Sequence, residues 1–447
     1  MLMFIDMLKR FILFSVLLFG VKCVNAQFLG GGSGTIDDPY QIWNVDDWNE
    51  FAAEFNNEES VYGDFTGIHL RIMNSIADTI NTGLFYRDFS GSIHGGGHSL
   101  RLYMTGEQYF GCFLNSLGVK GYVDSLIFTG KCEEWFSVFA YSHGHISHCL
   151  SNMDCSSYEP SSYYLGLVKH NYGVMEYCNN YTEVPFGAFY GICYQNFGIV
   201  DHCVNYADFK TKAGSDVSCG IAAENAGGIV RNCMNFGNMQ ASSDIVGLVW
   251  SNSLGISGHY DSVSMQWHVD TLRSVVQNCI NFGSITVEEG AEGYYFSLLV
   301  GENLGSDVLN CLNVGSSSGS NFVSSFDYNL YEINTPGFIV VQGKNAKTEK
   351  CLNIGNTGDF FMCRDSIVGE SFCNNNYFDK QMCLSSSIAG EYVDSIAEGR
   401  PTLQLTGDSP ELRAMLGDGW SYAEGRYPIP LGLETDSLAM LFASPIF

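Results

Sequence analysis

Seven cysteines recur in one frame along the middle of the chain: Cys149, Cys178, Cys203, Cys233, Cys279, Cys311 and Cys351. In the last four the frame reads Cys-aliphatic-Asn-apolar-Gly, as in "NCMNFG" from Asn232 to Gly237 and "NCINFG" from Asn278 to Gly283. A thiol repeated in this way could be a nucleophile, a metal ligand, a disulfide partner or a packed rung of a structural ladder. A nucleophile needs a base beside it. His148–Cys149 and His202–Cys203 are adjacent in sequence, which in a strand sends the two side chains to opposite faces. A metal needs converging ligands. "HGHISHC" gathers His143, His145, His148 and Cys149, but no second cluster completes the set, and CxxC and HExxH motifs are absent. The sequence therefore assigns no catalytic residue, no metal and no cofactor.

Cysteines stacked on neighbouring strands would have Cα atoms about 4.8 Å apart, inside the bonding range. Their parallel side chains hold the Cβ atoms at a similar spacing, above the ~3.8 Å mean of bridged pairs. Free thiols, packed as small hydrophobes, are the expectation. Cys363, Cys373 and Cys383 lie outside the frame and are better candidates for a bridge. One feature of the parity stands out. The residue three before the cysteine (Ile146, Met175, Val200, Val230, Val276, Val308) and the residue after it are mostly apolar. In a flat strand the cysteine would face the other way. Either the chain bends there or the cysteines point outward.

For binding, the candidates are tyrosines: Tyr158, Tyr163 and Tyr164 in "YEPSSYYLG", and Tyr294 and Tyr295 in "EGYYFS". Tyrosine stacks on sugars and anchors protein interfaces, so a glycan or a host or cell-surface protein is the expected partner. Glycoside cleavage wants two carboxylates flanking one bond. Asp201, Glu224 and Glu302 are spread over different units and offsets, while Glu133–Glu134 and Asp37–Asp38 read as solvated pairs. A non-enzymatic role is favoured. A carbohydrate-active lyase or glycosidase is the first alternative, a structural spacer the second.

The elements that position these residues are short. Upstream of each cysteine runs a line such as "GLVKHNYG" at Gly166, "GICYQNFG" at Gly191, "GIAAENAGG" at Gly220 and "GLVWSNSLG" at Gly247. Its asparagines, Asn171, Asn196, Asn225, Asn252 and Asn303, recur at the turn after the apolar run. Asn205, Asn235, Asn281, Asn313 and Asn353 recur two residues after the cysteine. Short apolar runs punctuated by Asn and Gly predict strands and tight turns. A unit of this length repeated with insertions predicts a right-handed parallel β-helix, in which equivalent residues stack coil upon coil. The largest insertion, Ser257 to Ser274, is expected to project as a loop. "SPELRAML" predicts a short helix capped by Ser409 with Pro410 at its first position.

The totals agree with this. The 447 residues include 50 Gly and only 9 Pro, with 14% aromatics and a formal charge of −27. Such acidity argues against nucleic acid as a partner. Lys9 and Arg10, the apolar run Phe11 to Val21 and "VNA" read as a signal peptide over residues 1–26, leaving a secreted or outer-surface chain with no later membrane span. Loss of Cys23 would leave an odd number of the sixteen cysteines.

The lines "GLVKHNYGVMEYCNN" and "GLVWSNSLG" resemble the GLUG motif of adhesin-like β-helical surface proteins of Bacteroidota. "GGGSGTIDDPYQIWNVDDWNEF", "FSGSIHGGGHSLRLYMTGEQYFGCFLNSLG" and "GDGWSYAEGRYPIPLGLE" resemble the start, opening coils and closing segment of that group. The resemblance implies adhesion or ligand display. The expected layout is an N-terminal cap and opening coils over 27–130, β-helix repeats over 131–365, and an irregular segment and C-terminal cap over 366–434; beyond the resemblance, the apolar run "LAMLFASPIF" makes the tail, 435–447, read as the start of a further domain.

Overall fold

The computed structural model describes residues 29–437 and 439, apart from 105–111, 133–134, 157–162, 186, 262–265, 292, 294–295, 320–321, 324–331, 334–336, 357–370 and 383–396. The described chain winds as a parallel β-helix. Two sheets of twelve strands each and a third of ten run along it. Strands one coil apart pair in parallel, in register as in Val200 with Val230, Met234 with Ile280 and Asn196 with Asn225, with shifts at Ile76–Ile80 and Ser297–Val300. Right-handed winding is the sense that twisted strands impose on parallel crossovers.

The sharp corner between the first and second sheets lies just before the cysteine. His148, Tyr177, His202, Asn232, Asn278, Asn310 and Lys350 occupy it, with φ between 50° and 57°. This left-handed residue turns the chain, so the core residue three before the cysteine and the cysteine itself both face inward. All seven cysteines are completely buried. The bend resolves the parity conflict in the sequence. It also means that the apolar residue after the cysteine faces out.

Two residues past the cysteine, Asn180, Asn205, Asn235, Asn281, Asn313 and Asn353 form an internal column with no solvent exposure. Each side-chain amide donates to the next carbonyl oxygen in the column, over 2.9, 2.8, 2.8, 2.9 and 2.7 Å. Its second hydrogen serves a backbone carbonyl of its own corner, as in Asn281 to Gly283 at 2.8 Å. A second buried column, Asn171, Asn196, Asn225, Asn252 and Asn303, links coil to coil at the end of the third sheet, its second hydrogen reaching a backbone carbonyl of the next coil, as in Asn252 to Asp307 at 3.1 Å. Gly237, Gly283, Gly315 and Gly355 stack beside the first column. A Cβ at any of them would collide with the backbone carbonyl of the coil before.

The N-terminal end is closed by the helix Val45–Phe55. Asn44 caps it by accepting from the amides of Asp46 and Asp47. Trp48, Phe51 and Phe55 press onto Phe65, Phe89 and Phe113, covering what would be an open end of the coil stack. The insertion near residue 260 is an antiparallel hairpin, Gly255–Asp261 with Gln266–Leu272.

The C-terminal segment differs from expectation. The helix Pro410–Leu416 forms, with Ser409 accepting from the Leu412 amide at 3.1 Å. Instead of simply closing the far end, residues 405–437 run back along the side of the solenoid as a strap. Leu412, Leu416, Trp420, Ile429 and Leu433 pack on Val204, Met234, Ile280, Leu312 and Leu352, the outward residues after the cysteines. Those apolar side chains needed a cover, and the strap provides it. The strap bonds to the corner residues: Trp420 Nε1 donates to the Lys350 carbonyl at 3.2 Å, and Asn278 Nδ2 to the Leu431 carbonyl at 3.0 Å. His202 Nε2 lies 3.3 Å from the Gly432 carbonyl. Asp201 supports this last anchor, contacting His202 at 2.7 Å and Arg231 at 2.8 Å. Burial opposes the charge on Asp201, but His202, Arg231 and Asn232 together hold it down to about 2. Its carboxylate in turn raises the His202 imidazole.

Two outcomes follow. Asn281→Ala strands the buried Asn235 amide and is expected to cost about 1–3 kcal/mol of stability, read as a lower denaturation midpoint. A loss under about 0.5 kcal/mol, the scale of an ordinary surface change, would contradict it. For the Asp201–His202 anchor, stability from Asp201 is complete above its unfolded value of about 3.9 and is lost as pH falls toward 2. Stability from His202 is complete below about pH 6.5 and is lost as pH rises through its raised folded value. Asp201→Asn should flatten both limbs of the stability–pH curve relative to the parent chain.

Candidate functional site

Five residues past each ladder cysteine the chain faces solvent again. On three consecutive coils that position holds a carboxylate: Asp154, Glu183 and Asp208. The bridge between Val184 and Phe209 places Glu183 beside Asp208, and the pairing of Leu150–Ser151 with Asn179–Asn180 continues to Asp154 beside Glu183. Stacked strands set the interval at about 4.8 Å. The column goes on as Asn238, whose backbone N–H donates to Asp208 Oδ1 at 2.6 Å. Two residues nearer the cysteine runs an aromatic column: Tyr181, Tyr206, Phe236 and Phe282, with ring centroids 4.6, 5.4 and 4.5 Å apart and planes within 10°. Tyr181 heads this column, because the coil before it carries Asn152, and it is 41% exposed.

The carboxylate column and Tyr181 line a groove of about 810 Å³, with Ser156, Lys210, Gln240 and Thr286, while Tyr206, Phe236 and Phe282 pack against the C-terminal strap's cluster. Lys210 is tied to Glu288 at 2.9 Å, so the groove's net character is acidic. The Asp154 carboxyl lies below its ordinary range because the Ser156 hydroxyl and amide bond to it. That is the direction opposite to what a general acid needs. The groove offers carboxylate and amide acceptors, amide donors and one exposed ring face, which together suit a polyhydroxylated ligand.

The sequence-derived candidates fall elsewhere. Tyr164 is fully buried, its hydroxyl 3.0 Å from both Ser151 and Asn180, so it fills the core and is corrected from a binding residue to a structural one. Its neighbour Tyr163 faces out, stacked on Trp135 at 4.2 Å and bonded to Asp216, which pushes its hydroxyl up to about 12. Tyr158, Tyr294 and Tyr295 lie outside the described residues. The histidines of "HGHISHC" diverge. His143 stacks on Tyr172, His145 contacts Glu176 at 2.9 Å, His148 stacks on Tyr177, and Cys149 is inside. Among the described residues no group of three or more His, Cys, Asp or Glu side chains could hold a metal ion. Glu224 and Glu302, expected at unrelated offsets, share one column two coils apart through Ser251.

The ladder thiols have no base. Their neighbours are the thiols of adjacent coils and backbone carbonyls, as in Cys233 Sγ to Arg231 O at 3.1 Å and to Val200 O at 3.6 Å. Burial pushes Cys149, Cys203, Cys279 and Cys351 well above the ordinary thiol range; at Cys178, Cys233 and Cys311 burial pushes the same way, and hydrogen bonds with the neighbouring thiols oppose it. Cys373 sits half-buried opposite Thr348; Cys363 and Cys383 lie outside the described residues.

A constant offset of five residues from the cysteine would have located the groove carboxylates. It was masked because that column changes type from Asp and Glu to Asn.

No family model matches the chain, and no curated protein matches it. Among solved structures it is similar to a chain from Bacteroides ovatus, described as a "putative immunoglobulin A1 protease", at 13% identity and a TM-score of 0.33. The match covers 90% of this chain and 95% of the other. No residue role is carried over from it. What the fold and the site define is a parallel β-helix with a lateral, acidic, aromatic-bordered groove.

Thiols this deeply buried should resist iodoacetamide in the native protein and alkylate in denaturant without added reductant. Peptide mass spectrometry reads this for Cys178, Cys203, Cys233, Cys279, Cys311 and Cys351. Rapid native labelling of these would contradict the packing.

Proposed function

We propose that the chain is an exported, non-enzymatic display protein that binds a glycan in the lateral groove. The observation that carries this is the Asp154–Glu183–Asp208 column running beside the exposed ring of Tyr181. Carboxylates accept hydrogen bonds from sugar hydroxyls, and an aromatic face stacks on the apolar face of a pyranose. The groove's acidity, on a chain of formal charge −27, repels sulfated and uronic-acid glycans. Neutral or amino sugars are the matching class. Secretion to the outer surface, in keeping with the basic-apolar N-terminal segment, puts the groove where such glycans occur.

The test is a glycan array followed by calorimetry on the chain from Gln27. Neutral or amino-sugar oligosaccharides should bind and anionic ones should not. Tyr181→Ala should weaken binding about tenfold, a change of about 1.4 kcal/mol. Absence of binding to every glycan would overturn the proposal in favour of a spacer.

A second reading is favoured by one observation. Glu183 and Asp208 stand on adjacent coils, and the interval is close to the roughly 5–5.5 Å between carboxyl groups of retaining glycosidases. If a bound oligosaccharide is cleaved, and Glu183→Gln and Asp208→Asn each abolish cleavage while preserving binding, the protein is a carbohydrate-active enzyme.

A further inference from the structure

We propose that Cys132 and Cys155 are joined by a disulfide that staples two consecutive coils at the rim of the groove. These two cysteines belong to a column different from the ladder. Asp154 pairs with Lys131, and the next residue on each coil is the cysteine. The column continues inward-facing as Val184, Phe209 and Met239, so cysteine stands at this level on neighbouring coils. Their Sγ atoms lie 2.6 Å apart. That is inside the roughly 3.5–4.0 Å separation of non-bonded carbon atoms, which are smaller than sulfur. Ladder thiols instead approach backbone carbonyls, at 3.1 to 3.6 Å within their own coil and 3.6 to 3.9 Å on the coil before.

The physical difference is the backbone. A ladder cysteine sits between a left-handed corner and a paired strand, and its Cβ is held at the coil spacing. Cys132 is the last residue of the strand Ile127–Cys132, and Cys155 is the first residue beyond the strand Leu150–Asp154. At a strand end the parallel geometry relaxes, and the two Cβ atoms can converge as a bridge requires. Both side chains are almost completely buried, at 0% and 1% exposure, so the bond would form during folding and then be shielded.

The chemistry is a two-electron oxidation. Each thiol loses a proton, one Sγ–Sγ bond forms, and the two electrons reduce a small-molecule or protein disulfide to two thiols. An exported chain meets such oxidants. Cys155 also lines the groove, so the bond would tie the coil carrying Asp154 to the one before it and hold the groove's first carboxylate in register.

The experiment uses the chain from Gln27, refolded with glutathione disulfide. It is denatured, alkylated without reductant, digested and analysed by mass spectrometry. The expected result is one cross-linked species containing Cys132 and Cys155, which separates into two peptides on reduction. A second measurement follows the thermal midpoint. Reductant should lower it by several degrees in the parent chain and leave a Cys132→Ser, Cys155→Ser chain unmoved. Alkylation of both cysteines in the unreduced protein, or a cross-link from either to another cysteine, overturns the proposal. Loss of glycan binding is not among its readouts, so it stands or falls independently of the groove's ligand.

Discussion

The buried side-chain amide is the interaction on which this molecule depends. A β-helix leaves polar backbone groups at its corners facing a core without water, and an unpaired one costs several kcal/mol. Asparagine answers with one carbonyl and two N–H bonds in a short side chain. In the column from Asn180 to Asn353, one hydrogen goes to the next coil and the other to the local corner. Each amide is therefore both a corner brace and a rung, and slipping the register by one residue would unpair the whole column at once.

The outer surface follows from that inner register. Because the column fixes how coils align, every residue at the same distance from it also aligns, including those that face solvent. The residue after the cysteine becomes an apolar stripe, which the strap covers. The third becomes a stack of rings. The fifth becomes a line of carboxylates. Function in such a fold is a matter of what the outward columns carry, since the inner ones are committed to holding the stack together.

Much of the fold was legible because inner columns constrain residue type. Only Asn satisfies the ladder, only Gly fits beside it, and a small hydrophobe suits the cysteine site, so the same letters return in "NCMNFG" and "NCINFG". The groove was hidden for the converse reason. A solvent-facing column tolerates Asp154, Glu183, Asp208 and Asn238 alike, so no motif recurs. The corner was only partly visible. Asn232, Asn278 and Asn310 tolerate a left-handed backbone, but His148, Tyr177 and Lys350 give no such signal. Tyr163 and Tyr164 are adjacent and identical, and only the register of the strand they join decides which enters the core. The strap is not repetitive, and its partners, the outward Met234 and Ile280, read as core in any one-dimensional pattern.

Carboxylates spaced by one coil, a ring face at the head of a stack and a rim tied by its own backbone make the lateral groove the place where this β-helix meets its ligand. The most direct test is a crystal structure of the chain grown with a bound neutral or amino-sugar oligosaccharide. The account predicts density for a sugar ring over Tyr181, with hydroxyls on the Asp154, Glu183 and Asp208 carboxylates. Density at the Trp135–Tyr163 stack, or elsewhere away from the groove, would contradict it.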